Sequence, residues 1–532
     1  MRKLIESASV ALGVTTLYLL WLVGPLVTVG HDTVYHWSSS ASQLFIPTIV
    51  DFCISWTVLT LLFLLARKRG RLRVAVWSGM ILSIPWIALK NWDHLSETRP
   101  FHSLSALLFA VALVATVLLV TFWRPSFEAK FEGVVAFSSA LLVCAAISGL
   151  AILFQLAWFG WQARSLNAQM PLHHSLAVRS MTAARPRIIW IVFDELSYEQ
   201  VYERRFRGLQ LPAFDQLASQ ATVFTHTIPA GIRTAQILPS LMTGEPVDDS
   251  RSSADGQHLS MHNPETKAWL KFDEHNSVFQ DALDAGYSPA VAGWYNPYCR
   301  ILPEVLDHCF WTFAALAPNG MLPTAATLPS NMMEPLLYAA GSGSAYHLLA
   351  FFPQIPDLSA LVPELHIFDY QALLDAADKV LEDRSASFVL LHLPVPHPGG
   401  IYNRATGEFA LKHSSYIDNL ALADRCLEHL RSKLESSGEW DSSTIVIMGD
   451  HSWRTKLIWS SSPDWTKEDE IASQGGKFDD RPAYIVKLPQ QSVGTRIEAP
   501  FAALNTRKLL DALLTQNIRS AEDLSVWAQQ SR

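Results

Sequence analysis

The chain has 532 residues, with 41 Lys or Arg against 49 Asp or Glu and a formal net charge of −8. Five cysteines in that length exclude a disulfide-framework protein, and mild acidity without basic blocks excludes nucleic acid as the main partner. Hydrophobic residues make up 49% of the chain, charged ones only 17%, and the mean hydropathy of +0.16 is high for a soluble enzyme, with the excess lying in the first third.

Residues 7–30 contain no Asp, Glu, Lys or Arg. A helix needs roughly 20 apolar residues to cross about 30 Å of hydrocarbon, and this run is long enough. Similar runs at 41–66, 74–89, 104–123 and 134–161 predict a five-helix transmembrane domain over residues 1–161. A secretory signal peptide would have a shorter apolar core and no further spans after it. Basic residues collect before the first run (Arg2, Lys3), between the second and third (Arg67, Lys68, Arg69, Arg71, Arg73) and between the fourth and fifth (Arg124, Lys130). The other loops carry only Arg99, with Lys90 at a boundary. The positive-inside rule then places the N-terminus in the cytoplasm. Five spans deliver everything after Trp161 to the outer face of a bacterial-type inner membrane, either periplasmic or extracellular. Asp51 lies inside the second run, where a carboxyl is costly. It is read either as a protonated group near the interface or as a contact for a lipid headgroup or substrate.

Residues 162–186 form a mixed polar stretch with Pro171, read as an amphipathic connector. From Ile188 the pattern changes. Ile-Ile-Trp-Ile-Val-Phe is a continuous apolar run of strand length, suited to a strand buried on both faces. Runs at 388–391, 444–448 and 483–486 are of the same kind. Between them, residues 416–434 place Leu420, Leu422, Leu427 and Leu430 among charges with helical spacing. Strands alternating with helices predict an α/β domain over 187–532, a mixed, mostly parallel sheet between helices on the outer side of the membrane.

Polar groups follow two of these strands directly, Asp194-Glu195 after the first and Asp450-His451 after 444–448. Ligands of open α/β sheets bind beyond the carboxyl ends of strands. Carboxylates and an imidazole converging there suit Zn²⁺, Mn²⁺ or a similar divalent ion. Singly, each dipeptide reads equally well as a helix cap or turn. His392, inside its apolar run, reads as core. Cys299 and Cys309, ten residues apart on the oxidising side, predict a local disulfide. Cys53 and Cys144 lie in spans and read as free, and Cys426 as a buried helix thiol.

The segment from Gly231 to Gly244 contains Thr234 ten residues before the Gly of Leu241-Met242-Thr243-Gly244. With Asp194-Glu195 upstream, Leu211-Pro212-Ala213-Phe214-Asp215-Gln216-Leu217-Ala218 between, Pro396-His397-Pro398 at mid-chain and Asp450-His451 late, this ordered set resembles the sulfatase-like branch of the alkaline phosphatase superfamily. The resemblance covers roughly residues 187–517. It implies that Thr234 is the nucleophile at a helix start and that Asp194, Asp450 and His451 hold one divalent ion, with Glu195 assisting and the Thr234 oxygen beside it. Zn, Mn, Mg and Ca all stay open. It also implies that His397 binds the substrate phosphate or acts as general acid. A hydroxyl is a poor nucleophile until a neighbouring cation lowers its pKa, and a helix start favours a phosphoryl group. The rival reading is that Thr234 is simply an N-cap.

The family's true sulfatases carry Cys or Ser at the nucleophile position, oxidised to formylglycine. Thr cannot yield that aldehyde because its Cβ bears a methyl group, so phosphoryl chemistry is expected. In architecture the chain resembles the phosphoethanolamine transferases and lipoteichoic acid synthases. That resemblance implies a phospho-Thr intermediate and a membrane phospholipid or envelope glycan as substrate. Two departures stand out: Phe193-Asp194-Glu195-Leu196 replaces the transferases' usual Gly-Glu-Thr, and residues 452–489 contain no His. A second tightly held metal is therefore not expected, and Arg454 and Lys456 are read as positive charge for the substrate phosphate. The rival functions are a hydrolase releasing the group to water and a catalytically inert envelope-binding protein. Donor, acceptor and oligomeric state are not indicated.

Overall fold

A computed structural model describes residues 1–27, 35–37, 41–67, 70–95, 102–165, 185–314, 358–462 and 464–530. Most of the connector at 162–186 and the side chain of Asp51 lie outside the described residues. The chain forms two compact units.

The first unit consists of helices α1 (Arg2–Val27), α2 (Ala41–Ala66), α3 (Gly70–Leu95), α4 (His102–Thr121) and α5 (Glu128–Gln162). Helices therefore occupy all five apolar runs. Four described stretches, Arg2–Leu20, Leu44–Ala66, Gly70–Leu89 and Glu128–Ser165, are long and apolar enough to cross a membrane, whereas the apolar part of α4, Leu107–Thr121, is shorter. Val10, Val14, Phe63, Trp77 and Leu142 pack together inside the unit. Phe137, Ile147 and Phe154 point outward and are exposed, an arrangement that water penalises and hydrocarbon does not. The pairs Arg67–Glu6 (2.5 Å) and Arg73–Glu132 (2.6 Å) link the end of α2 to the start of α1 and the first turn of α3 to the start of α5.

The second unit is built on an eight-stranded sheet: β1 (Ile188–Phe193), β2 (Thr222–Phe224), β3 (Pro289–Trp294), β4 (His308–Thr312), β5 (Phe388–Leu393), β6 (Thr444–Gly449), β7 (Tyr484–Lys487) and β8 (Thr495–Ile497). The strand order is β8-β2-β7-β6-β1-β5-β3-β4. Every neighbouring pair is parallel except those made by β7, which alone runs against the rest. The sheet is thus mixed and mostly parallel. All six residues of β1, β5 and β6 are buried, as continuous apolar runs require. Arg187 anchors the amino end of β1, its guanidinium donating to the carbonyls of Ala386 (2.7 Å), Leu381 (2.9 Å) and Val380 (2.8 Å).

Residues 35–37, from between α1 and α2 in sequence, belong to this second unit. The Arg300 guanidinium donates to the carbonyls of Tyr35 (2.8 Å) and Trp37, and the His36 ring lies 4.6 Å from Tyr295 and 4.9 Å from Phe313. A disulfide joins Cys299, next to Arg300, to Cys309 in β4, while Cys53, Cys144 and Cys426 are free thiols.

Candidate active site

The site forms where β1 and β6, adjacent and parallel, both end. Beyond β1 the Asp194 amide still donates to the Leu393 carbonyl (3.0 Å), so its side chain is placed by the sheet. Glu195 then takes a left-handed backbone conformation, φ 65°, which turns the second carboxylate elsewhere. The Tyr416 hydroxyl, from α7 (Tyr416–Ser436), braces that turn by donating to the Glu195 carbonyl at 2.8 Å. At the end of β6 only glycine fits, because a Cβ on Gly449 would stand 2.6 Å from the Leu196 carbonyl oxygen. This close approach brings Asp450 against β1, where its Oδ1 accepts from the amides of Glu195 (3.0 Å) and His451 (2.8 Å).

Thr234 opens helix α6 (Thr234–Thr243), and Arg233 occupies the N-cap position. The Thr234 hydroxyl therefore does not cap the helix. It lies 2.9 Å from Asp450 Oδ2, 3.2 Å from Asp194 Oδ2 and 3.4 Å from His451 Nε2. One hydroxyl proton cannot serve three acceptors. His451 Nδ1 faces the Ser452 carbonyl at 3.1 Å, which makes Nδ1 the protonated nitrogen and leaves the Nε2 lone pair directed at Thr234. His397 is fixed likewise, with Nδ1 2.7 Å from the Pro398 carbonyl.

Burial, then the charges of Asp450 and Glu195, hold the Asp194 carboxyl well above the usual carboxylate range, and burial also raises Asp450. Burial pushes His451 down to about 3 and His397 well below the usual imidazole value, so both imidazoles are neutral at physiological pH. Asp194 is completely buried, and its Oδ1 has no hydrogen-bond partner among the described residues. Mutually repelling carboxylates, an orphan carboxylate oxygen and an imidazole lone pair together fit a divalent cation. Asp194, Asp450 and His451 each offer an atom within 4.8 Å of the others, and so do Asp194, Glu195 and His397.

The remaining sequence candidates divide. The Glu195 carboxylate is engaged by Arg454 and Trp459. The Arg454 guanidinium is in turn occupied by Glu195 and by the Ile232 carbonyl (3.2 Å), while its charge acts on Asp194, Asp450, His451 and His397. Lys456 is exposed, its stem passing Gly476, and among the described residues it makes no hydrogen bond or ion pair with the acidic cluster. His397 joins the site between Trp294 and Trp459, with ring centroids 5.3 and 5.1 Å away. His392, read from sequence as core, is buried but lies on the cluster, Nε2 3.9 Å from Asp194 Oδ2. The available signal was an imidazole inside an otherwise apolar strand.

A buried hydroxyl among carboxylates and neutral imidazoles, at the carboxyl end of a mostly parallel sheet, defines a hydrolytic or group-transfer enzyme of the α/β class. The Sulfatase family pattern matches residues 186–484, more than half of the chain, and the chain belongs to that family. No curated protein gives a significant match. Among solved structures, Ps i-CgsB in complex with k-i-k-neocarrahexaose is 16% identical, over 64% of this chain and 75% of that one, with a TM-score of 0.41. The phosphonate monoester hydrolase of Agrobacterium radiobacter is 14% identical over 62% and 74% of the two chains, TM-score 0.36. The lipoteichoic acid synthase LtaP from Listeria monocytogenes is 14% identical over 63% and 73%, TM-score 0.36.

Proposed function

We propose that the protein is a membrane-anchored phosphotransferase or phosphodiesterase that moves a phospho-headgroup to or from a lipid or cell-envelope glycan, with Thr234 as the nucleophile. The observation that carries this reading is the Thr234 hydroxyl lying within 3.4 Å of Asp194, Asp450 and His451. Asp194, Asp450 and His451 would hold one divalent ion, with Glu195 and the Thr234 oxygen beside it. When bound, such an ion supplies positive charge that favours an alkoxide and offsets the charge of phosphoryl oxygens.

The chain's own residues account for the rest. Thr234 Oγ1 forms the new bond to phosphorus as its proton passes to Asp450 Oδ2, its nearest acceptor at 2.9 Å, and the bond to the leaving oxygen breaks, that oxygen taking up the proton and departing as an alcohol. The start of α6 directs backbone N–H groups and a positive dipole end at the incoming phosphoryl group. His397, with its proton held on Nδ1 by the Pro398 carbonyl, has none on Nε2 to give as the general acid expected from sequence, and instead presents Nε2 as an acceptor for the hydroxyl that later takes the group. The methyl group on Thr234 favours phosphoryl over formylglycine-dependent sulfate chemistry. The basic segments beside α1, α3 and α5 support a cytoplasmic N-terminus with the catalytic unit on the outer face.

The test is to incubate the full-length protein with phospholipid labelled in its headgroup phosphate and trap the phospho-enzyme. Label should appear on Thr234 and be absent from Thr234→Ala; undiminished turnover by that variant would remove Thr234 from the chemistry. Product analysis with and without a glycan acceptor separates transfer from release to water.

A further inference from the structure

His392 lies in β5, paired across the sheet with Val192 on one side and Gly293 on the other. Alternation along β1 puts Asp194 on the face of Val192, and imidazole and carboxylate share that face, His392 Nε2 lying 3.9 Å from Asp194 Oδ2. Neither His392 Nε2 nor Asp194 Oδ1 has a hydrogen-bond partner among the described residues, and both side chains are fully buried. On the far side of the ring, His392 Nδ1 lies 2.9 Å from the Tyr298 hydroxyl. Tyr298 is itself buried and stands edge-on to the imidazole at 90°. It reaches this place only because residue 293 is glycine, since a Cβ there would lie 2.3 Å from Tyr298 Cε2.

We infer that Tyr298 and His392 are positioning residues for Asp194, with the tyrosine hydroxyl donating to Nδ1 and so fixing the imidazole proton on Nε2, where it faces the carboxylate. A neutral imidazole carries one N–H, and a hydroxyl donor on one nitrogen assigns that proton to the other. At 3.9 Å the contact is electrostatic rather than a hydrogen bond. Inside a dry site even such a contact favours the carboxylate orientation that turns Oδ2 towards the imidazole N–H. The inference rests on the reading of the cluster as a cation site, and outer groups that orient such ligands typically govern affinity by about 10–100-fold.

The experiment is calorimetric titration of Mn²⁺ into chelator-treated full-length protein, with thermal unfolding as a check on folding. Tyr298→Phe keeps the ring that fills the space over Gly293 and removes only the hydroxyl. His392→Leu removes the imidazole, while His392→Gln keeps an N–H donor near the position of Nε2. Tyr298→Phe and His392→Leu should bind Mn²⁺ about 10–100-fold more weakly than wild type, with His392→Gln closer to wild type. Wild-type affinity in both Tyr298→Phe and His392→Leu would overturn the inference, and should the leucine variant fail to fold, Tyr298→Phe decides alone. Asp450→Asn separates the two levels. If wild-type protein binds Mn²⁺ and Asp450→Asn does not, wild-type affinity in Tyr298→Phe and in His392→Leu defeats the positioning role only; absence of wild-type binding defeats the cation site and this inference with it.

Discussion

Arg454 holds Glu195 from two directions: its backbone amide donates to Oε2 at 3.1 Å, and its guanidinium grips Oε1 through Nε at 2.9 Å and through Nη2. Trp459 Nε1 adds contacts of 2.9 and 3.0 Å to the two oxygens. This completely buried carboxylate ties the turn after β1 to the loop after β6. Arg454→Leu leaves it without its cation and is expected to lower stability by about 3–5 kcal/mol. Arg454→Lys should fall between, because an ammonium cannot reproduce the planar fork. Chemical denaturation reads both; a leucine variant within about 1 kcal/mol of wild type would show the pair to be dispensable.

Thr234→Ser keeps the oxygen and loses the methyl group that limits side-chain rotation. It should still form the covalent phospho-enzyme, with kcat reduced about tenfold, against about 10³-fold or more for alanine. Equal losses in the serine and alanine variants would argue that the hydroxyl is not the attacking group.

Removing divalent ions leaves Asp194 and Asp450 buried together, each with its ionised form disfavoured. Asp450→Asn relieves that repulsion. In chelator-treated protein it should be more stable than wild type by about 1–3 kcal/mol, and with saturating Mn²⁺ the order should reverse. Melting curves under the two conditions check the crossover; parallel shifts in both would contradict it.

Asp424 on α7 accepts from the amides of Phe214 (2.9 Å) and Ala213 (3.3 Å) at the start of the helix Pro212–Ala218, and burial raises its carboxyl to about 6. The folded state therefore favours the protonated form. Its contribution to stability is fully present below the unfolded value, near 4, and is lost as pH rises through about 6. Relative to Asp424→Asn, which does not titrate, the wild-type protein should lose up to about 3 kcal/mol between pH 4 and 6. A pH-independent difference between the two would refute the assignment.

Local pattern made the centre of the catalytic unit readable. The β-branched, wholly apolar run 188–193 and the run 444–448 could be little other than buried strands, and the acids after them had to fall at one sheet end. Pro289–Trp294 was not readable, because Pro, Ala and Gly replace the usual strand formers and its place is set by pairing with β5 and β4. The reversal of β7 is decided by its neighbours rather than by Tyr484–Lys487 itself. At the site, the Thr234 hydroxyl could be read as a cap or a nucleophile until the fold brought Asp194 and Asp450 to it. Spacing alone could not show that Arg454 is occupied by Glu195 or that Lys456 stays at the surface. His392 was hidden for the opposite reason: a polar residue in a buried strand declares its purpose only through what stands opposite.

The Cys299–Cys309 cross-link adjoins two residues with distant reach, Tyr298 against His392 and Arg300 on the carbonyls of Tyr35 and Trp37. A bond that forms only after synthesis, and only where an oxidant is met, thus adjoins both the rear of the catalytic cluster and the anchorage of a segment from far upstream. Material produced where thiols stay reduced would assemble its sheet yet lack this brace. Reduced and oxidised preparations of one sequence should then differ in how firmly Tyr298 and Arg300 are held.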